Sequence, residues 1–160
     1  MDTKYLTIPV HIYQPEELSA AYLQLVETAK EVSGSAYTPY SHFNVGAAVL
    51  LTNGEVICGN NQENAAYPSG LCAERVAMFY ANARYPDQIP KVIAIAAQNA
   101  NGFLAQPVSP CGSCRQSLLE TENRYGVAIE LLLYGTEGIY HIKAVHDLLP
   151  LAFGSADLVR

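Results

Sequence analysis

The sequence predicts a three-layer α/β/α fold, in which helices cover both faces of a mixed five-stranded sheet. Three observations lead to this fold class. Amphipathic helical segments alternate with short apolar strands, an order typical of α/β domains. The 160 residues suffice for one domain with one hydrophobic core, because half of them are apolar. Only four residues, Gly135 to Gly138, separate the last two strands. This predicts an antiparallel hairpin, since a parallel crossover needs about a dozen residues or more.

Each element is predicted from local signals. Alternating apolar residues before Pro15 predict a strand, which Pro9 confines to a sheet edge. Pro15 and the following acidic residues are typical of a helix start. Asn53-Gly54 is a strong hairpin turn. The predicted elements are strand 5–13, helix 15–32, strands 43–51 and 55–59, helix 73–85, strand 92–97, helix 110–122, strands 128–134 and 139–143, and a short helix at 145–149.

The domain organisation is expected to be simple. Residues 1–14 form an N-terminal extension, either an edge strand or an interface arm, and residues 15–160 form a single domain. The longest apolar runs, such as 92–97, are far shorter than the roughly 18–20 residues that span a bilayer. The N-terminus lacks the basic and apolar regions of an export signal. We therefore expect a cytoplasmic location and no membrane partner.

The charge excludes one class of partner. The net charge is −6, and the nine basic residues are scattered along the chain. A protein that follows a phosphate backbone needs a basic stripe, so a nucleic-acid partner is not expected. A small, uncharged ligand fits better.

The four cysteines carry the strongest signal. In the cytosol thiols stay reduced, so disulfides are not expected. Cys72, Cys111 and Cys114 fall at two predicted helix starts, where free N–H groups and the helix dipole stabilise thiolates. Three thiolates could bind one Zn²⁺ and leave the fourth tetrahedral position open to water. Cys58 lies inside an apolar strand and is interpreted as a core residue.

Glu74 and Arg75 complete this hypothesis. Glu74 lies two residues from Cys72, so its carboxylate can take a proton from water in the open position. Three thiolates and one Zn²⁺ leave a formal charge of about −1. Arg75 is the residue expected to offset this charge.

The cysteines have two alternative interpretations. Cys111 and Cys114 alone could form a thioredoxin-like redox pair, which would leave Cys72 and Glu74 unexplained. A closed site with four cysteines would require Cys58, which has no cysteine nearby in sequence. The four histidines lie outside both cysteine segments and are interpreted as surface or structural residues.

With these motifs in this order, the sequence resembles the cytidine deaminase family, in its small single-domain branch. The resemblance runs from about Leu18 to Asp157. A ligand followed two residues later by a Glu, with Pro-Cys-x-x-Cys downstream, is the pattern of zinc deaminases. Here Cys72 replaces the commoner His. The matching segments are 37–43, 45–48, 61–64, 66–68, 72–75, 109–116 and 148–150, together with Phe153.

The resemblance implies a role for each matching residue. Cys72, Cys111 and Cys114 would bind one Zn²⁺ per subunit, Glu74 would be the proton shuttle, and Arg75 would hydrogen-bond the thiolates. The implied substrate-binding residues are Asn61 and Glu63 at the ribose hydroxyls, Phe43 against the pyrimidine or sugar, the backbone of Ala73, Tyr67, and Phe153 from a neighbouring subunit. Without the flanking pattern, Asn61 could merely hold a turn, and Phe43 and Phe153 could be core residues. Residues 1–14 have no counterpart in the family.

The implied activity is hydrolytic deamination of cytidine and 2′-deoxycytidine, within pyrimidine salvage, by a homotetramer whose copies complete each other's sites. Three rivals stay open. A deaminase of blasticidin-type nucleosides would share the zinc motif, but Asn61, Glu63 and Phe43 favour ordinary nucleosides. A polynucleotide-editing deaminase is opposed by the negative charge, by Cys72 and by the short turn before Gly138. A non-catalytic zinc-stabilised interaction protein would not need Glu74.

Overall fold

The computed structural model describes residues 1–158 and contains three α-helices and seven β-strands within them. The strands are β1 (His11–Tyr13), β2 (Asn44–Leu51), β3 (Val56–Asn60), β4 (Pro90–Asn99), β5 (Gly102–Phe103), β6 (Glu130–Gly135) and β7 (Gly138–Ile142). The helices are α1 (Ala20–Ser33), α2 (Ala73–Arg84) and α3 (Gly112–Tyr125). Short 3-10 turns occupy Pro15–Glu17, Val145–Leu148 and Ser155–Asp157.

All seven strands belong to one mixed sheet, as predicted. The order is β1-β7-β6-β4-β2-β3, and β5 pairs with β4. Only β4 and β6 are parallel, whereas every other pair is antiparallel. The sheet exceeds the five predicted strands because the short strands β1 and β5 join it. Two residues are too few for β5 to show a periodicity in sequence.

The hairpin at the end of the domain is confirmed. β6 and β7 are antiparallel neighbours, with Gly135 opposite Gly138 and Tyr134 opposite Ile139. The hairpin at Asn53-Gly54 is confirmed as well, since β2 pairs antiparallel with β3 and Gly54 has a φ of +87°.

Helices cover both faces of the sheet, which confirms the three-layer arrangement. Leu25 and Val26 of α1 are buried on one face, with Leu132 of β6. Met78 of α2 and Leu118 of α3 are buried together on the opposite face. The N-termini of α2 and α3 therefore lie in the same layer. None of the helices described over residues 1–158 is long and apolar enough to cross a membrane.

The N-terminal segment forms less regular structure than predicted. The strand predicted over 5–13 is confined to His11–Tyr13, which pairs with β7 at the sheet edge, and residues 1–10 are exposed outside any strand. Pro9 has no N–H to donate, so the ladder begins only after it. The predicted helix from Pro15 is also divided, because Ser19 begins α1 separately by accepting a hydrogen bond from the Tyr22 N–H at 3.3 Å.

Gly59 fixes how closely α2 approaches the sheet. A Cβ at this position of β3 would lie 2.5 Å from the backbone nitrogen of Ala77 and 2.8 Å from the carbonyl oxygen of Ala73. Real Cβ atoms do not approach backbone so closely, because the atoms would overlap. Glycine therefore lets the first turn of α2, which follows Cys72, lie directly against β3.

Candidate metal centre and active site

Three cysteine sulfurs converge where α2 and α3 begin. Cys72 and Cys111 are the N-cap residues of the two helices, and Cys114 lies one turn into α3. Their sulfurs lie within 4.8 Å of one another. Cys114 is fully buried, Cys72 is half-buried and Cys111 is exposed. The predicted ligand set is thus brought together from two helix N-termini.

This donor set fits zinc. The Sγ atoms of Cys72 and Cys111 are 3.8 Å apart. A tetrahedral zinc site with Zn–S bonds of about 2.3 Å separates its sulfurs by about 3.8 Å. Neither N-cap cysteine uses its side chain to cap its helix, so both sulfurs are free for a metal. Three thiolates and an open fourth position are typical of a catalytic rather than a closed structural site.

Arg75 lies against the sulfurs. Its Nη2 donates to the Cys72 Sγ at 3.7 Å. The hydrogen bond from Cys114 and the Arg75 guanidinium lower the pKa of Cys72 to about 5. The hydrogen bond between Cys114 and Cys72, together with burial, raises the pKa of the Cys114 thiol. A first thiolate therefore forms readily at Cys72. Arg75 supplies the positive charge that the sequence predicted.

Glu74 is the buried acid of the site. Only 5% of its surface is exposed, in the first turn of α2 between Ala73 and Arg75. Burial raises the pKa of the Glu74 carboxyl above its ordinary value, and the nearby Cys72 charge acts in the same direction. A carboxyl whose pKa is raised keeps its proton to higher pH than an ordinary carboxyl, which suits it to proton transfer.

A cleft of about 540 Å³ opens beside Cys72 and Arg75. Among the residues predicted to bind substrate, Asn61, Glu63 and Tyr67 line it, and Tyr67 is 81% exposed. The remaining lining residues are Tyr40, Ser41, Gln62, Asn64, Pro68, Gly70 and Leu71. The cleft is open to solvent and can admit a small molecule to the sulfur cluster.

Asn61 and Glu63 hydrogen-bond the start of β2 and the segment that precedes it. The Asn61 Oδ1 accepts from the Val45 N–H at 2.8 Å, and its Nδ2 donates to the Phe43 carbonyl at 2.9 Å. The Glu63 Oε2 accepts from the N–H groups of Tyr40 at 2.9 Å and Ser41 at 3.3 Å. Phe43 is half-buried and is linked to the cleft through Asn61.

The other predicted substrate residues are dispersed. Ala73 is fully buried at the start of α2 and does not line the cleft. Phe153 is 61% exposed and lies outside the cleft, in a groove shared with residues 5–8. It therefore does not close the core of its own chain.

Tyr40, Ser41 and Arg115 lie near the site but were given no role from the sequence. Tyr40 and Ser41 line the cleft, and their place inside the motif 37–43 was the available signal. The Arg115 Nε donates to the Pro110 carbonyl at 2.8 Å, and its Nη1 donates to the Leu148 carbonyl at 3.0 Å. Arg115 thus fixes the loop before Cys111 to the C-terminal region.

The expectation for Cys58 was wrong. Cys58 is exposed on β3 rather than buried. β3 is the last strand of the sheet, so one side of its ladder has no neighbour within the described residues. The apolar residues around Cys58 could not show that its strand lies at the edge of the sheet. Cys58 is also absent from the sulfur cluster found among residues 1–158, which argues against a four-cysteine site.

Comparison with known proteins decides the family. A model described as the cytidine and deoxycytidylate deaminase zinc-binding region matches residues 20–129, which include all three clustered cysteines and Glu74. The chain belongs to the cytidine and deoxycytidylate deaminase family. The family model describes a zinc-binding region, and the cysteine cluster could hold a metal ion.

Relatives of known name cover most of the chain. A cytidine deaminase of Halalkalibacterium halodurans is 39% identical over 134 residues, which are 84% of this chain and 95% of that protein. A cytidine deaminase of Mycobacterium tuberculosis is 38% identical over 82% of this chain and 89% of its own length.

Solved structures agree on the fold. The crystal structure of cytidine deaminase from Burkholderia pseudomallei matches with a TM-score of 0.69 and 37% identity, covering 81% of this chain and 97% of that one. The Mycobacterium tuberculosis cytidine deaminase structure matches with a TM-score of 0.65 and 32% identity, covering 85% and 99%. The predicted fold class is thereby confirmed.

Proposed function

We propose that this protein catalyses the zinc-dependent hydrolytic deamination of cytidine and 2′-deoxycytidine. The products are uridine or 2′-deoxyuridine and ammonia, a reaction that serves pyrimidine salvage. The observation that carries the proposal is the convergence of three sulfurs within 4.8 Å, next to the buried Glu74. A structural zinc site would not need a buried carboxyl with a raised pKa beside it.

Cys72, Cys111 and Cys114 hold the metal in this proposal. When bound, zinc lowers the pKa of water in its open position and so supplies a nucleophile near neutral pH. Arg75 offsets the excess negative charge of the three thiolates through its contact with Cys72. The positive ends of α2 and α3 act in the same direction.

Glu74 moves the protons. Its carboxylate takes a proton from the attacking water and delivers it to N3 of the pyrimidine, which makes C4 more electrophilic. A new C–O bond forms at C4, and the ring carbon becomes tetrahedral. Glu74 then takes the proton of the new C4 hydroxyl and passes it to the exocyclic amine, while a C4–O double bond forms. The C4–N bond breaks and ammonia leaves, so that the carboxylate is regenerated.

The remaining residues bind and orient the nucleoside. Asn61 and Glu63 offer donor and acceptor groups to two neighbouring sugar hydroxyls. Phe43 packs against the flat base or the sugar. The backbone of Ala73 contacts the base carbonyl or the attacking oxygen, and Tyr67 supports substrate contacts from the rim of the cleft.

We further propose that the enzyme is a cytoplasmic homotetramer. The cleft beside Cys72 is open, and the exposed Phe153 lies outside the site of its own chain. Both observations support a site that is completed by Phe153 of a neighbouring copy. A reducing compartment keeps the cysteine ligands available to zinc.

One assay tests the activity against its rivals. Zinc content is measured on purified protein, and the loss of ultraviolet absorbance is followed with cytidine, 2′-deoxycytidine and a blasticidin-type nucleoside. We expect one zinc per chain and turnover of the first two substrates, with equimolar ammonia. Turnover of the blasticidin-type compound alone, or zinc without any turnover, would contradict the proposal.

A further inference from the structure

The short segment from Thr38 to Phe43, here called the 38–43 loop, borders the cleft and has few partners of its own. Each end is fixed by backbone hydrogen bonds to the strand-like segment 61–63. Before the loop, the Tyr37 N–H donates to the Asn61 carbonyl at 3.0 Å, and the Glu63 N–H donates to the Tyr37 carbonyl at 2.9 Å. After it, the Asn61 N–H donates to the Val45 carbonyl at 3.2 Å.

Between these ends, side chains replace the backbone ladder. Asn61 and Glu63 are two residues apart in an extended segment, so their side chains point to the same side. The Asn61 amide bridges Phe43 and Val45. The Glu63 carboxylate accepts from both Tyr40 and Ser41. Glu63 is thus what joins the middle of the loop to the 61–63 segment.

The loop also contains a residue in a conformation that needs support. His42 has a φ of +54°, in the left-handed region that residues other than glycine adopt infrequently. Its N–H donates to the Thr38 carbonyl at 3.1 Å, which closes the loop on itself. Such backbone persists where the surroundings hold it in place. Phe43 follows directly, so the turn at His42 determines where the Phe43 ring lies.

From this geometry we propose that Glu63, in addition to binding a sugar hydroxyl, is a positioning residue that holds the 38–43 loop. It thereby keeps Tyr40 in the lining of the cleft and sets the position of Phe43 at the end of the loop. The sugar-binding role rests on the proposed function, whereas the anchoring of the loop does not. The backbone N–H groups of Tyr40 and Ser41 both donate to Oε2 of Glu63. Hydrogen bonding by Ser41 and Tyr40 lowers the pKa of the Glu63 carboxyl, which keeps it an acceptor at neutral pH.

This anchoring couples two parts of substrate recognition. A sugar hydroxyl bound at Glu63 would meet a carboxylate whose position is already set by the loop. In turn, a substrate that lacks this hydroxyl would still find Tyr40 and Phe43 in place. Glu63→Ala therefore removes more than one contact, whereas Glu63→Gln keeps an oxygen that can accept from both N–H groups and loses the charge.

Amide hydrogen exchange of the zinc-loaded protein, resolved by residue, tests the anchoring without substrate. In Glu63→Ala we expect the Tyr40 and Ser41 amides to exchange at least about tenfold faster, because their acceptor is lost. The Val45 amide, held by Asn61, is the internal reference and should not change. Glu63→Gln should stay close to the wild type, and Glu55→Ala, in the exposed β2–β3 turn, is the matched control.

Kinetics on cytidine provide the second measurement. Glu63→Ala should raise KM and lower kcat together, whereas Glu63→Gln should mainly raise KM. Unchanged exchange at Tyr40 and Ser41 in Glu63→Ala would overturn the proposal, even if activity were lost, because Glu63 would then be a sugar ligand alone. Faster exchange in a protein that does not deaminate cytidine would support the anchoring and contradict the proposed function. If Glu63→Ala does not fold, Glu63→Asp, whose shorter side chain cannot reach both amides, gives the same comparison.

Discussion

At the scale of single residues, Arg75 brings a positive charge to the three cysteine sulfurs. Among the described residues, Arg75 is the arginine that donates to the cysteine sulfurs, and its Nη2 lies 3.7 Å from the Cys72 Sγ. Its positive charge opposes the excess negative charge of three thiolates, so its loss should weaken zinc binding and the acidity that zinc confers on water.

We predict that Arg75→Gln lowers zinc affinity or kcat by about 10- to 100-fold, as is usual for partners of metal ligands. Arg75→Lys restores the charge without the planar guanidinium and should recover part of the loss. Competition with a chelator measures the affinity, and initial rates on cytidine measure kcat. Arg84→Gln, at the far end of α2, is the control. If Arg75→Gln and the wild type have equal zinc affinity and equal kcat, Arg75 does not offset the charge of the thiolates.

Several of these residues could be predicted from sequence, but their partners could not. Cys72, Cys111, Cys114 and Glu74 follow from spacing and from their position at helix starts. The exposure of Cys58 depends on which strand ends the sheet. The bonds from Glu63 to Tyr40 and Ser41 join segments more than twenty residues apart. No local pattern encodes such contacts, because they depend on the final packing.

At the scale of elements, Glu122 joins the end of α3 to the last part of the sheet. Its buried carboxylate accepts from the backbone N–H groups of Ile129 at 2.9 Å and Val145 at 2.8 Å. It also accepts from the His146 N–H at 3.3 Å. These donors lie in the segments just before β6 and just after β7. One glutamate side chain therefore fixes the orientation of α3 relative to both strands.

We predict that Glu122→Ala lowers the free energy of unfolding by about 2–4 kcal/mol, because it leaves buried N–H donors without an acceptor. Glu120→Ala removes an exposed glutamate on the same helix, so the free energy of unfolding should change by less than about 0.5 kcal/mol. Denaturation in urea measures both. A similar effect for the two variants would show that the buried carboxylate contributes little.

His141 on β7 makes the β1–β7–β6 edge sensitive to acid. It is 3% exposed, it hydrogen-bonds Glu130, and it lies against the rings of Tyr13 and Tyr22. Burial lowers the pKa of His141 below its ordinary value. Lys143 and His11 act in the same direction, and Glu130 opposes them. The folded protein therefore binds this proton less readily than the unfolded chain does.

We predict that stability falls as the pH drops below about 6.5, the ordinary histidine pKa. The contribution of neutral His141 is full above that value and is lost as the pH falls toward the lowered pKa of the folded state. His141→Gln keeps a donor for Glu130 and cannot titrate, so its stability should change less over this range. Urea midpoints above and below pH 6.5 measure the difference. An equal decrease in both proteins would assign the effect to other groups.

The order of elements follows from the sequence, whereas some boundaries do not. Helices α1, α2 and α3 and the hairpin β6–β7 were predicted because their periodicity and turns are local. β5 has only two residues, and the 3-10 turn at Pro15–Glu17 is separated from α1 by the cap at Ser19. The predicted N-terminal strand is shortened because Pro9 interrupts its ladder to β7.

At the scale of the whole molecule, the proposed homotetramer places Phe153 of one copy at the site of another. The exposed Phe153 lies outside the cleft of its own chain, and its carbonyl accepts from the Gln116 Nε2 at 2.9 Å. An exposed phenyl group adds little to the stability of the single chain, so a large effect of its removal on activity would point to a neighbouring site.

We predict that Phe153→Ala folds normally but has a lower activity on cytidine. Mixing it with Glu74→Gln, and allowing subunits to exchange, should restore activity, because some sites then combine an intact Glu74 with an intact neighbouring Phe153. Native mass spectrometry should give a homotetramer for the wild type. A monomer with full activity would contradict the shared site.

In the proposed reaction, Glu74 moves protons beside a zinc ion held by three cysteines. The most direct measurement is zinc content and cytidine turnover on the same samples of wild type and Glu74→Gln. We predict one zinc per chain in both proteins, and a loss of turnover of at least about 100-fold in the variant, as expected for a general acid–base residue. Turnover at the wild-type rate by fully zinc-loaded Glu74→Gln would contradict the account.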